Sequence, residues 1–383
     1  MAPSEIGGII PVKSEKVSTY NVYIKRGCID EIPSAIADLG SAKHVLIVTD
    51  DYADKLFAAG LATSTAHAGF TVLKFVLEPR RIKKTLDTAQ DVFRILFNAG
   101  ADRNTVVLNV GGGTVGDIGG FVAALYLRGI RYIHIPTTII SQIDSSIGGK
   151  VHVNFDTHLN GLSVFHHPAA VYTDPTVLDS LPIREYRSGL AEIVKYATIM
   201  DSRLFADLER TCMQIAIPKN NVLESMLLRC IEAKCQIVST DPQGQGLYRL
   251  FSFGHELGHA IEVAYDYEHL LHGEGVSIGI LASTWMAIKA GLCHPSLYPR
   301  LRNLLLSLNL PTAIPETLRN HFPPQVLENR LKQLLSHNAR RPGEGIAWIL
   351  PHDVGNGVCT KELPHHVVER CLHLIATGGM DAD

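Results

Sequence analysis

The chain has 383 residues, 46% of them hydrophobic and 19% charged, enough to bury a substantial core in two domains or one large one. Its formal net charge of -3 gives no general attraction to nucleic acid or an anionic membrane, and no stretch approaches the ~20 apolar residues of a membrane helix, which leaves small molecules as expected partners. Seven scattered cysteines with no C-x-x-C pair argue against a disulfide framework or a thiolate zinc site and point to a reducing, cytoplasmic setting.

At the N-terminus a short apolar run is interrupted by Pro11 and Lys13, so no targeting segment is expected there. In chain order, short β-branched runs at 44–49, 71–76, 105–110 and 132–136 predict buried strands, separated by Ala/Leu-rich helical patterns. After about Pro182 helical periodicity dominates, over 185–209, 221–239, 254–265, 272–291 and 324–337. The expected architecture is an α/β N-terminal Rossmann-like domain with a parallel sheet, residues 1–181, followed by a mostly α-helical C-terminal domain, residues 182–383. A ligand is expected in the cleft between them.

The third strand run leads into Gly111-Gly112-Gly113-Thr114-Val115-Gly116-Asp117. Missing Cβ atoms there let backbone N–H groups approach a phosphate at a helix N-terminus, which suits a dinucleotide pyrophosphate, although a ligand-free tight turn uses the same residues. Thr137 and Thr138 end the next strand, and residues 144–150 place the Asp144 carboxylate and the Lys150 ammonium in a second glycine-bearing loop. Glu192 and Lys195 share a helical face amid apolar neighbours, as a site pair or a surface ion pair; Lys234 can be read as a solvated helix position.

His255-Glu256-Leu257-Gly258-His259 puts two imidazoles on one helical face, where they can converge on a metal ion, and it also spells the H-E-x-x-H peptidase signature. In a peptidase Glu256 would be the general base and a downstream carboxylate such as Glu274 the third ligand. The longer three-histidine form is absent, because Glu262 and Tyr265 fill its last two positions. An α/β domain with a glycine-rich turn has no role in peptide hydrolysis, and a structural histidine pair is the remaining reading.

Residues 110–117 (VGGGTVGD), 127–129 (LRG), 136–138 (PTT), 143–150 (IDSSIGGK), 189–195 (GLAEIVK), 253–255 (FGH), 258–262 (GHAIE) and 271–274 (LHGE) resemble, in order and spacing, the dehydroquinate synthase superfamily of sugar-phosphate cyclases. The resemblance runs over roughly residues 45 to 350. It implies a lyase that forms a carbocycle from a sugar phosphate by transient oxidation with NAD, phosphate elimination, re-reduction and intramolecular aldol closure. It makes Glu192, His255 and His272 the ligands of a zinc or cobalt ion and leaves His259 for proton transfer. Lys150, Asn160, His259 and Arg128 would reach the phosphate or its neighbouring C–H, with Arg128 supplied by the partner subunit of a homodimer. Lys195 and Lys234 would hold substrate oxygens, and Asp144 would orient the network. Asp50, Lys84, Gly111, Gly112, Gly113, Asp117, Thr137 and Thr138 would hold NAD.

Departures from the family pattern concern the substrate. In dehydroquinate synthases proper an arginine seven residues before the first metal histidine pairs with the substrate carboxylate; here that position is Tyr248, with Arg249 adjacent, so the partner is missing or shifted by one. Ser252 replaces an asparagine, Leu159 a lysine, Arg81 a glutamate near the cofactor, and Asn338-Ala339-Arg340 a late Asp-Lys-Lys; an acidic residue expected near Gly244 is absent, and Glu256 stands where threonine is common. A tyrosine cannot supply a bidentate arginine contact. The expected substrate is therefore a neutral sugar phosphate, as in secondary-metabolite cyclases, and not the usual keto-acid phosphate, though Lys234 keeps the usual one open. Inosose-forming members usually lack the 148–150 loop and valiolone-forming ones the histidine kept here as His259. The competing readings are a genuine 3-dehydroquinate synthase, a metal-dependent polyol dehydrogenase, which would form net NADH, and a non-catalytic descendant.

Overall fold

The computed structural model describes residues 19–78, 84–156, 158–241, 244, 246–337 and 346–380. Arg81, Asn338, Ala339 and Arg340, and the side chain of Leu159, fall outside the described residues.

Six strands, β1 (Asn21–Ile24), β2 (His44–Asp50), β3 (Thr71–Leu77), β4 (Val106–Gly111), β5 (Arg131–Pro136) and β8 (Ala170–Thr173), form one sheet in the order β1-β8-β5-β4-β2-β3. Every pairing in it is parallel. The central strands are apolar on both faces because helices cover both. Leu46, Val48 and Val107 pack on one side, while Val45, Ile47, Val106 and Leu108 pack on the other. All four predicted strands are present; β1 and β8, four residues each, were too short to show as runs. The chain moves outward from β2 to β3 and then returns to lay β4 on the other side of β2. The carboxyl ends of β2 and β4, at Asp50 and Gly111, therefore flank a topological switch point, where open α/β sheets take their ligands. An antiparallel hairpin of β6 (Lys150–Phe155) and β7 (His158–Phe165), not foreseen, follows the second glycine loop.

The second half is mostly helical, with one added hairpin, β9 (Trp348–Asp353) and β10 (Asn356–Thr360). The predicted helix 185–209 is two helices, Ile183–Met200 and Ser202–Ile215. Asp201 leaves helical backbone between them (φ -145, ψ 93), and its side chain caps the second helix by accepting from the Arg203 and Leu204 N–H groups. Helix His272–Lys289 is buried on every side and forms the centre of this half. Helix His255–Ala264 lies against it unusually closely. A Cβ on Gly279 would fall 1.9 Å from the Gly254 carbonyl oxygen, and one on Gly258 would fall 3.1 Å from that of Gly275. These glycines let the N-terminal halves of both helices pack closely, and His255, His259 and His272 stand on those halves.

Candidate active site

On the sheet side, β4 ends at Gly111, Gly112 is the N-cap and the helix begins at Gly113. A Cβ on Gly112 would come within 3.3 Å of Thr138 Cγ2 and one on Gly113 within 3.1 Å of Ser145 Oγ, so side chains here would close the space above the turn. Thr137 donates its N–H to the Gly111 carbonyl at 3.0 Å. Asp50 Oδ1 accepts from the Tyr52 and Ala53 N–H groups, while Oδ2 faces Gly111, 3.1 Å from where its Cβ would stand. Asp50, Gly111, Gly112, Gly113, Thr137 and Thr138 are thus brought together around a cradle of backbone donors, and the arrangement fits a pyrophosphate.

Lys84 and Asn160, placed by sequence at cofactor and phosphate respectively, meet directly: Lys84 Nζ lies 2.9 Å from Asp117 Oδ2 and 2.6 Å from Asn160 Oδ1. Burial pushes the Asp117 carboxyl up, and Lys84 works against that. His152 Nε2, 3.3 Å from the same oxygen, joins them. Burial, helped by Lys84 and Lys150, lowers the pKa of His152 to about 2, so the ring is neutral. His152 was missed because a lone histidine in a strand carries no signal.

On the helical side, neither Lys195 nor Lys234 is a surface residue; their side chains are 0% and 1% exposed. Both ammoniums converge on Asp144, Lys195 Nζ at 2.8 Å from Oδ2 and Lys234 on Oδ1. Phe251 lies beneath them, its ring centroid 3.9 Å from Lys234 Nζ. Burial alone would raise the Asp144 carboxyl, but Lys195 and Lys234 outweigh it and hold it well below its ordinary range.

Lys195 Nζ is also 2.5 Å from Glu192 Oε2, an off-axis approach that makes an ion pair and not a hydrogen bond. Glu192 is 1% exposed, and no described residue donates a hydrogen bond to either of its oxygens. Facing Oε1 are His255 Nε2 at 3.4 Å and His272 Nε2 at 3.2 Å. The other nitrogen of each ring is committed: His255 Nδ1 to the Phe253 carbonyl and His272 Nδ1 to Glu262 Oε1, both at 3.0 Å. Those partners place the proton on Nδ1 and the lone pair on Nε2 of a neutral ring. Three acceptors then face one another at close range, which is favourable only around a cation, and two imidazoles with one carboxylate suit zinc or cobalt better than magnesium. Burial alone would lower His272, but Glu262 and Glu192 outweigh it and raise its pKa to about 10, so unless a cation takes that place the ring takes a proton on Nε2 and supplies the positive charge itself.

His259 completes a cluster in which the ligand nitrogens of His255, His259 and His272 lie within 4.8 Å of one another. Its ring centroid is 5.2 Å from that of His255 and 5.4 Å from that of His272, which are themselves 5.2 Å apart, so the three rings are nearly equidistant and only the close approaches of His255 and His272 to Glu192 set those two apart. Burial, then the neighbouring imidazoles, hold His259 well below the usual histidine range.

Tyr248 is half-buried between two lysines, with Lys234 Nζ 4.5 Å and Lys150 Nζ 5.6 Å from its ring centroid. Asp241 Oδ2 fixes this turn by accepting from the Gly246 and Tyr248 N–H groups. Arg249 is exposed, so the missing cation has not been supplied from the next position. Arg128 is not brought to the other site residues: it is exposed, with φ 72, on the turn after helix Gly113–Leu125.

The family described as 3-dehydroquinate synthase N-terminal matches residues 74–188, and its C-terminal counterpart matches residues 189–333. A 3-dehydroquinate synthase of Synechocystis sp. is 34% identical over 93% of this chain and 97% of its own length. The structure of ValA, a 2-epi-5-epi-valiolone synthase from Streptomyces hygroscopicus with NAD+ and Zn2+ bound, superposes with a TM-score of 0.84 at 28% identity, covering 96% of this chain and all of that one. A 2-deoxy-scyllo-inosose synthase complexed with carbaglucose-6-phosphate, NAD+ and Co2+ shares the fold at 22% identity and a TM-score of 0.81, over 92% of this chain and 96% of that one. The chain belongs to the dehydroquinate synthase superfamily.

Proposed function

We propose that the protein is an NAD- and metal-dependent sugar-phosphate cyclase, a phosphate-eliminating carbon–oxygen lyase, acting on a neutral sugar phosphate. The observation that carries the substrate assignment is Tyr248, whose ring fills the place between Lys150 and Lys234 where an arginine would meet a carboxylate, while Arg249 faces solvent. A carboxylate there would lose water and gain no bidentate partner.

Residues 1–181 would take the cofactor and residues 182–383 the metal and substrate. Asp50, Gly111, Gly112, Gly113, Thr137 and Thr138 would hold NAD, with Lys84 and Asp117 beside it; Glu192, His255 and His272 would hold zinc or cobalt. When bound, NAD+ supplies a hydride acceptor that is restored within the cycle, and the metal polarises the hydroxyl that is oxidised. His259, beside His255 and His272 but without their approach to Glu192, would move the proton of the C–H beside the phosphate-bearing carbon. Lys150 and Asn160 orient the phosphate, joined by Arg128 of a second subunit in a homodimer. Lys195 and Lys234, fixed by Asp144, hold substrate oxygens.

The relative named 3-dehydroquinate synthase and the buried Lys234 favour a second reading, that same activity. Both are tested by incubating the protein with NAD+, zinc or cobalt and a panel of sugar phosphates. Phosphate release from a neutral ketose phosphate without net NADH is expected. Efficient turnover of 3-deoxy-arabino-heptulosonate 7-phosphate alone would sink the neutral-substrate assignment, and net NADH would indicate a dehydrogenase.

A further inference from the structure

Tyr20, just before β1, lies far in sequence from every site residue named so far. Its phenol oxygen nevertheless accepts the Gly148 N–H at 2.8 Å, and its ring stacks on His167 with centroids 5.7 Å apart. Gly148 has φ 113, and a Cβ built on it would stand 3.6 Å from Tyr248 Oη. Gly148 is therefore flanked by two phenols, Tyr20 on its N–H and Tyr248 over its Cα.

From that point a continuous run of polar contacts leads to the metal trio. Tyr248 Oη is 3.4 Å from Lys234 Nζ, Lys234 meets Asp144, Asp144 meets Lys195 at 2.8 Å, and Lys195 meets Glu192 at 2.5 Å. Tyr20 meets this run only through Gly148, beside the position where the sequence departs from its family. Its oxygen already accepts from Gly148, and among the described residues no acceptor is placed for its proton. Burial, with smaller contributions from Cys235 and Tyr248, pushes the phenol up to about 12, so it remains a donor at any working pH.

We propose that Tyr20 is a specificity-determining residue whose O–H donates to the uncharged substrate oxygen facing Tyr248, so that two phenols receive a hydroxyl or carbonyl where an arginine would receive a carboxylate. A neutral donor meets a neutral oxygen without stripping water from a charge, and a buried donor left unmatched discriminates against a substrate lacking that oxygen. The inference rests on the cyclase reading above. A bland role is also defined: Tyr20 could merely buttress the 148–150 loop, and so act through Lys150.

Tyr20→Phe keeps the ring and its stacking on His167 but also removes the acceptor of the Gly148 N–H. Inhibition by inorganic phosphate, which reads Lys150, therefore separates the two: an unchanged Ki is expected, and a Ki that rises with KM overturns the inference. Steady-state kinetics are measured with a ketose 7-phosphate that carries a hydroxymethyl group in place of the carboxylate, and with 3-deoxy-arabino-heptulosonate 7-phosphate. For the neutral substrate KM should rise about tenfold with kcat within about twofold, the pattern of a lost binding contact. A fall in kcat at constant KM, or no change in either, overturns the inference while leaving the cyclase reading intact. A wild type that turns over only the keto-acid phosphate, or neither compound, overturns the neutral-substrate reading and this inference together. An unchanged melting temperature of the variant shows that the fold is not what moved.

Discussion

On the sheet side of the site, Gly111, Gly112 and Gly113 offer backbone donors and the space left by missing side chains; on the helical side, Lys195, Lys234, Asp144 and Glu192 crowd four charges away from water. The first wall depends on volume and is nearly indifferent to charge. The second depends on charge and has little to do with close backbone approach. Each should fail in its own way when disturbed.

The largest effect belongs to the charged wall. Glu192→Ala should empty the metal site, seen in elemental analysis, and cost on the order of a thousandfold in turnover. His259→Asn should keep most of the metal while turnover falls on the order of a hundredfold or more; metal loss in that variant would make His259 a ligand and overturn its assignment. Asp144→Asn leaves Lys234 without its carboxylate and Lys195 with only Glu192, so denaturant unfolding should show a loss of about 3–5 kcal/mol.

The packed wall gives smaller and differently shaped effects. A Cβ on Gly119 would fall 1.7 Å from Asn109 Oδ1, so Gly119→Ala should lower stability by about 1–3 kcal/mol with no dependence on salt. Salt sensitivity in that variant would show that charge matters on this side too. The smallest effect is a pH dependence beneath the sheet. His134 is 4% exposed, and burial lowers its pKa to about 3. Its folded pKa is below its unfolded value of 6.5, so the unfolded chain binds the proton first. Stability is retained above 6.5 and lost as pH falls from there towards 3, by about 1.4 kcal/mol per pH unit. Melting curves at pH 7 and pH 5.5 should differ less in His134→Gln than in the wild type.

The same contrast governed what the sequence disclosed. The runs at 44–49 and 105–110 were readable because helices cover both faces of β2 and β4 and make every residue apolar. Gly111, Gly112 and Gly113 were equally plain, since a turn with this geometry needs consecutive glycines. Lys234 read as a solvated helix position because its partner, Asp144, lies 90 residues away. Nothing local distinguishes an ammonium that a distant carboxylate has made tolerable. Asp201 hid inside an apolar helical pattern, and its capping bonds appear only in three dimensions. Tyr248 was visible as a departure from a pattern, but which way Arg249 faces required the fold. The H-E-x-x-H spelling pointed to one helix, whereas the ring nitrogens that face Glu192 come from His255 and His272, on two helices.

Lys150, Lys195 and Lys234 gather near two carboxylates, Asp144 and Glu192, in a chain whose formal net charge is -3. Three ammoniums against two carboxylates leave the site locally positive on an anionic particle, so capture of a phosphate ester is a matter of encounter as well as fit. The attraction reaches about 10 Å at 0.1 M salt and about 3 Å at 1 M. Ionic strength should therefore lower kcat/KM while leaving kcat nearly unchanged, and the slope would report how much of the lysine charge an approaching dianion feels before it touches the protein.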